Sequence, residues 1–158
     1  MSKIKKIMVA VDLSDYSLPS VEYAHDLAQA VGAEIMLVCV FNQRDVRTIQ
    51  NTLDAYDAGL CEKLIEESME YRRTALENLT REAGARKTVT RKIVRLGVPH
   101  LELLNAIEQE KPDLLVMGTK GRSNLADTIV GSCAQKMYRR SPIPVLSLRP
   151  ASLRSSAQ

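Results

Sequence analysis

Apolar positions along this chain follow two rhythms that alternate. Residues 7–11 (Ile-Met-Val-Ala-Val), 35–40 and 114–117 are continuous apolar runs, the pattern of parallel strands covered on both faces. Between the first two, Val21, Ala24, Leu27, Ala28 and Val31 mark one face of a helix, with Pro19 in its opening turn and Gly32 closing it. This opening segment predicts a βαβ unit with a right-handed crossover. Residues 41–59 sustain no period and read as a long polar loop with room for one helical turn. Such a loop leaves the carboxyl end of the second strand beside any ligand bound there, as a lid does. Leu60, Leu64, Met69, Arg72, Leu76, Leu79 and Ala83 then fall on one helical stripe that ends at Gly84, and predict the longest helix.

Residues 88–96 alternate β-branched and basic side chains, with Val89 and Ile93 on one face and Arg91 and Arg95 beside them. That is the pattern of a charged edge strand. Pro99 opens the next helix, whose apolar face is Leu103, Leu104 and Ile107 and whose break is Lys111-Pro112. A last helix starts at Ser132 and ends on Arg139-Arg140, and Pro142 and Pro144 precede a fifth short strand, Val145–Leu148. Residues 1–150 form one domain, and the tail 151–158 reads as disordered. Strands alternating with helices predict a single-domain three-layer α/β sandwich with a mostly parallel sheet, doubly wound and Rossmann-like. Ligands of such folds bind beyond the carboxyl ends of the strands, which gathers Asp12, Val40 and Gly118. With the first and fourth strands adjacent at the switch point, Asp12 faces Gly118 and the residues after it.

Composition narrows the function. A chain of 158 residues, 45% hydrophobic, suffices for one well-buried core. The net charge of +3 is spread over 22 basic and 19 acidic residues, and five Tyr and one Phe supply no stacking platform. Nucleic acid is therefore not an expected partner. Cys39, Cys61 and Cys133 are odd in number and widely spaced, which speaks against a disulfide framework or a zinc site and fits a reducing cytoplasm. Cys133, in a first helical turn, invites a lowered pKa and a redox role. The apolar run after Lys3, Lys5 and Lys6 ends at Asp12, too short for a signal peptide or a membrane span.

Candidate chemistry sits where the run 114–117 stops. Gly118 and Gly121 are followed, after residues 122–130, by Gly131-Ser132, giving G-x-x-G-x(9)-G-S. Ser132 and Gln135 have the form of a capping box, with Gly131 just outside the helix. Free N–H groups at a helix start attract an anion, and a glycine there allows close approach to the backbone. Lys120, Arg122 and the Ser132 hydroxyl add charge and a hydrogen bond, so phosphate is the natural guest.

Val9-Ala10-Val11-Asp12 with Ser14, Gly97-Val98-Pro99, and residues 116–121 (Val-Met-Gly-Thr-Lys-Gly) through Gly131-Ser132 to Pro144-Val145 resemble the universal stress protein family from end to end. The resemblance implies a five-stranded parallel sheet in the order 3-2-1-4-5 and, for the subclass with the glycine motif, ATP (or ADP or AMP) with Mg2+ or Mn2+ at the switch point. It places Asp12 by the ribose and adenine, the Val40 backbone at the adenine, and Gly118, Gly121, Gly131 and Ser132 along ribose and phosphates. Thr119 and Lys120 fill the variable positions between the first two glycines, and Leu13 stands where many relatives have glycine. A homodimer through the fifth strand is also implied, and that strand lacks the charges that protect an edge.

Three functions are compatible with these residues. A nucleotide-dependent sensor or switch reporting to a protein partner needs only the phosphate cradle. An ATPase or phosphotransferase needs a group that orients the attacking oxygen, yet the P-loop and kinase patterns are absent and His25 and His100 read as surface or capping residues on helices. A dimerisation scaffold would leave the cleft empty. Receiver and flavodoxin readings fail at the first turn: Asp12 has no paired acid beside it, and Asp12-Leu13-Ser14-Asp15 is too acidic for a phosphate loop.

Overall fold

The structure is a computed structural model that describes residues 3–53, 58–120 and 130–149, with residues 53 and 58 by their backbone alone. Gly121, Arg122 and the tail 151–158 lie outside the described residues. The elements run β1 (Lys6–Val11), α1 (Ser17–Val31), β2 (Glu34–Asn42), α2 (Gln43–Leu53), α3 (Ala58–Glu82), β3 (Val89–Gly97), α4 (Pro99–Glu110), β4 (Leu114–Gly118), α5 (Ser132–Arg140) and β5 (Val145–Leu148). All neighbouring strands are parallel, in the order β3-β2-β1-β4-β5. This is the α/β fold and strand order expected.

The continuous apolar runs are explained by the pleat. Ile7, Val9 and Val11 of β1, Ile35, Leu37 and Cys39 of β2, and Leu114 and Val116 of β4 enter one layer with Val21, Ala24 and Ala28 of α1 and Leu76 and Leu79 of α3. The intervening Met8, Met36, Val38, Leu115 and Met117 enter the opposite layer with Leu103, Ala106 and Ile107 of α4 and Ala134 and Met137 of α5. Each fully buried Leu or Ile contributes about 1.5–3 kcal/mol, so every strand residue in the centre must be apolar. Gly32 ends α1 at φ 71°, donating its N–H to the Ala28 carbonyl.

Two expectations are corrected. The long loop over 41–59 is instead the end of β2 followed by α2, which packs on α3 and β2. Its apolar stripe is short: Val46, Ile49 and Leu53 recur at i, i+3 and i+7 in an otherwise polar segment, and of the described side chains of the helix only Val46 is buried. The start signal was present: the Asn42 Oδ1 accepts the Arg44 N–H at 3.0 Å. The second correction concerns β3. Ile35 pairs with Val89 but Met36 pairs with Arg91, so Thr90 is an extra residue in the strand. The insertion reverses the alternation: Val89 and Val94 pack into the layer of α1 and α3, whereas Ile93 packs with α4 and α5. Val89 and Ile93 thus occupy opposite faces. Arg91 and Arg95 reach α4, where they pair with Glu110 and Glu102.

Arg72, which falls on the apolar stripe of α3, is 8% exposed and sets its guanidinium carbon 3.9 Å from the centroid of the Phe41 ring. Its Nη1 donates to the Ser68 carbonyl at 3.0 Å, so the buried charge is held by a π-face and hydrogen bonding.

Entry into the central strand pair is fixed by Asp113. Its Oδ2 accepts the Lys5 N–H at 2.8 Å and the Lys6 N–H at 3.0 Å, and its own N–H donates to the Lys6 carbonyl at 2.8 Å. These two backbone donors, followed by the nearby lysine charges, hold the carboxyl below its ordinary value of 3.8. A native pKa below the unfolded one adds stability above the unfolded pKa and loses it as the pH falls through the native value. Asp113→Asn therefore lowers stability to urea at neutral pH, and the gap from the parent closes on acidification. An equal gap at about pH 6 and about pH 3 would contradict this origin.

Candidate functional site

β1 lies between β2 and β4, and α1 after β1 and α5 after β4 cover opposite faces of the sheet, so the connections leaving β1 and β4 open a crevice at their carboxyl ends. The turn out of β1 is held by Asp12, whose Oδ1 accepts the Ser14 N–H at 3.0 Å and the Ser17 hydroxyl at 3.4 Å. Leu13 adopts φ 65° there, a left-handed conformation costly for a side chain with a Cβ, while packing against the layer of α1 and α3. Glycine, frequent at this position in the resembling family, would meet the same turn without that strain.

Gly118 ends β4 under Tyr16. A Cβ at Gly118 would lie 2.7 Å from the Tyr16 Cβ and 3.0 Å from the Lys120 carbonyl oxygen, so glycine is required for close packing of the two strand ends. Thr119 donates its N–H to the Leu148 carbonyl at 3.0 Å and accepts the Gly131 N–H at 2.7 Å. This second bond returns the chain to the end of β4 and places α5 over the crevice.

The helix starts at Ser132 as expected, but the capping box does not form. Gly131 takes the N-cap position, extended at φ −69° and ψ 159°, and no side chain caps the helix. With the cap moved back by one residue, Ser132 is the first helical residue, and the Gln135 side chain reaches instead to the Val130 carbonyl at 3.4 Å. The first intrahelical bond runs from the Gln135 N–H to the Gly131 carbonyl. Helix geometry leaves the N–H groups of Ser132, Cys133 and Ala134 without intrahelical acceptors. An uncapped positive end thus points at the crevice.

The crevice is a cavity of about 460 Å³. Asp12, Val40, Gly118, Thr119, Lys120, Gly131 and Ser132 all line it. Every described residue nominated from the sequence is therefore brought to one place. Val38, Leu103 and Met117 provide an apolar floor, and Asp12 stands across from the start of α5. Sequence reading missed Arg44 and Asp45, which line the cavity from α2; they were hidden by reading that segment as a loop. It also missed Tyr16, 6% exposed, whose buried hydroxyl has no hydrogen-bond partner among the described residues, a condition shared by the Thr119 hydroxyl. Both residues line the cavity, and a buried unpaired hydroxyl is costly unless a guest satisfies it.

Cys133 does not have the lowered pKa expected for a first-turn thiol. Burial, and then the Asp12 carboxylate, push it up to about 11 against the opposing effect of Lys136. The thiol is therefore neutral at physiological pH. His25 joins α1 to the start of β3 through Nδ1, 2.7 Å from the Thr88 hydroxyl. His100 stands on α4, and burial followed by Lys136 and Arg140 lowers its pKa. No group of three or more His, Cys, Asp or Glu side chains able to hold a metal ion occurs among the described residues. Among them, too, no helix is long and apolar enough to cross a membrane.

Comparison with known proteins agrees with this geometry. The profile of the Universal stress protein family matches residues 3–149. A universal stress protein of Thermus aquaticus, from the QAH/OAS sulfhydrylase 3′ region, is 32% identical over 147 residues, covering 92% of this chain and 98% of the relative. The solved structure of MJ0577 from Methanocaldococcus jannaschii superposes with a TM-score of 0.78 at 23% identity, over 94% of this chain and 98% of that one. A universal stress protein in complex with cAMP gives a TM-score of 0.62 at 24% identity, covering 94% of this chain and 98% of that one. The Archaeoglobus fulgidus universal stress protein in complex with dAMP gives 0.54 at 16% identity, covering 94% and 100%. Relatives of this fold therefore bind adenine nucleotides. On the profile match over nearly its whole length and the identity to the Thermus protein, the chain belongs to the universal stress protein family.

Proposed function

We propose that the chain binds an adenine nucleotide, ATP foremost, in the crevice beyond β1 and β4, and acts as a nucleotide-dependent sensor or switch rather than a dedicated enzyme. The observation that carries this reading is the convergence of an apolar floor, the Asp12 carboxylate and the uncapped start of α5 on one cavity of about 460 Å³. The purine lies on Val38, Val40 and Leu103 with the Val40 backbone at its edge, the ribose lies by Asp12, and the phosphates meet the N–H groups at the start of α5. Gly121 and Arg122, outside the described residues, belong to the same proposed phosphate site. The cAMP and dAMP complexes of relatives support an adenine guest.

A divalent ion fits this site only as a companion of the phosphates. The described residues offer no cluster of three or more ligating side chains, so Mg2+ or Mn2+ would take its oxygens chiefly from a triphosphate and water. Switching enters through α2, because Arg44 and Asp45 reach the same cavity and a guest that favours one placement of that helix presents a changed surface to a protein partner.

Titration of nucleotide-stripped protein with ATP, ADP and AMP tests the reading. Binding is expected, and Asp12→Asn, which keeps an oxygen for the Ser14 turn, weakens it about tenfold, equivalent to about 1.4 kcal/mol. No measurable binding of any of the three, or parent-like affinity in the variant, would contradict it.

The same chain assembles as a homodimer through β5 in this proposal. The Pro144 and Leu148 carbonyls bond toward β4, so strand alternation turns the N–H and C=O of Ser147 to the open edge. Ser147→Pro removes an outward donor while sparing the β4 ladder. In sedimentation equilibrium it shifts the parent dimer to monomer with an unchanged far-UV circular dichroism spectrum; a parent that sediments as monomer, or a variant that stays dimeric, rules out this interface.

A further inference from the structure

A second cavity, of about 280 Å³, adjoins the crevice and shares with it the Ser132–Cys133 turn at the start of α5. Its other walls come from α2 and from the β3–α4 turn. Arg44 and Arg47 face it from α2, His100 from α4 and Lys136 from α5. Among the described residues, no acidic side chain lines it. Among the described residues, none of Arg44, Arg47 and Lys136 forms an ion pair, although the chain carries 19 acidic residues. The low pKa of His100, caused by burial and then by Lys136 and Arg140, registers the same excess of positive charge.

Three cations around one concavity repel one another, and that repulsion is relieved by an anion with several charged oxygens. We propose that this cavity is a second site, outside the purine crevice, for a chain of phosphate groups, held by Arg44, Arg47 and Lys136. Two sources share that chemistry: a free polyphosphate, or the far end of a polyphosphate tail whose nucleoside sits in the crevice. Arginine forks suit phosphate oxygens in pairs, and the shared helix start allows a tail to pass from one cavity to the other. The site goes beyond the purine reading and does not depend on it, because Arg47, His100 and Lys136 line this cavity and not the crevice.

Calorimetric titration of the full, nucleotide-stripped chain with tripolyphosphate is the test. One equivalent binds, and the double variant Arg47→Gln with Lys136→Gln binds at least tenfold more weakly. Both side chains are exposed, so the variant melts with the parent. Tripolyphosphate also raises the NMR titration midpoint of the His100 imidazole, since the anion offsets Lys136 and Arg140. Absence of binding to the parent at millimolar tripolyphosphate, equal affinity in the double variant, or an unmoved His100 midpoint each overturns the proposal. Repeating the titration with saturating ATP distinguishes the sources: retained binding identifies a separate polyanion as occupant, and competition identifies the tail of the nucleotide. Adenosine, which carries no phosphate, separates this inference from the purine reading. If adenosine does not bind and tripolyphosphate does, the crevice reading fails and the second site stands; the reverse result leaves the crevice and removes the second site.

Discussion

The pairing of β1 with both β2 and β4 is the constraint from which the rest follows. A parallel sheet needs crossovers, and each crossover must lie on one face or the other. Because β2 and β3 extend the sheet on one side of β1 while β4 and β5 extend it on the other, the loops leaving β1 and β4 part company at their carboxyl ends. The bonds of Asp113 to the backbone of Lys5 and Lys6 tie the entry of β4 to that of β1. Register then runs Ile7 to Leu114 and Val9 to Val116, which delivers Asp12 and Gly118 to the same end of the sheet. The crevice is thus a topological product, filled with chemistry by the residues that happen to end those strands.

What the crevice does with a ligand is decided by the balance of two opposed local fields. At one wall stands the Asp12 carboxylate, partly satisfied by the Ser14 N–H and the Ser17 hydroxyl. At the other stands the positive start of α5, uncapped because Gly131 has no side chain to offer its N–H groups. Cys133 lies within the field of the acid: burial and then Asp12 raise its pKa against Lys136, and the thiol stays protonated. A guest with hydroxyl donors at one end and anionic oxygens at the other matches both walls, whereas a simple anion matches one and is repelled by the second. Polarity of this kind would orient the nucleoside phosphate proposed for the crevice.

Most of the architecture was legible because burial on both faces leaves a direct trace in sequence. A central strand such as residues 7–11 must be apolar throughout, and a helix such as α1 must carry a stripe. Where burial is thin the trace fades. α2 rests on the core through Val46 among its described side chains, so its polar composition resembled a loop, and the Asn42 cap alone was too slight to outweigh that. The Thr90 bulge was invisible for another reason: alternation in β3 is interrupted by one residue, and only the register with β2 shows which one. The lining of the crevice was legible from Asp12, Gly118 and Gly131 because these residues follow β1, end β4 and precede α5 at the switch point of the sheet. The capping box misled because Ser132 and Gly131 are both acceptable N-caps, and the extended ψ of Gly131 is a tertiary outcome of its bond to Thr119.

The misread segment carries side chains to both cavities. Arg44 stands between the two cavities and lines both, while Asp45 faces the crevice and Arg47 the basic cavity. A helix held by few buried contacts opens at small free-energy cost, so the charges it carries into a binding site are positioned by a marginal element. Occupation of either cavity by phosphate oxygens would add charge-assisted hydrogen bonds to Arg44 or Arg47 and thereby supply the stability that α2 lacks in packing. Under the proposed function, local stability and ligand occupancy would be two descriptions of one equilibrium, and the thin burial of α2 would be the property that makes it responsive.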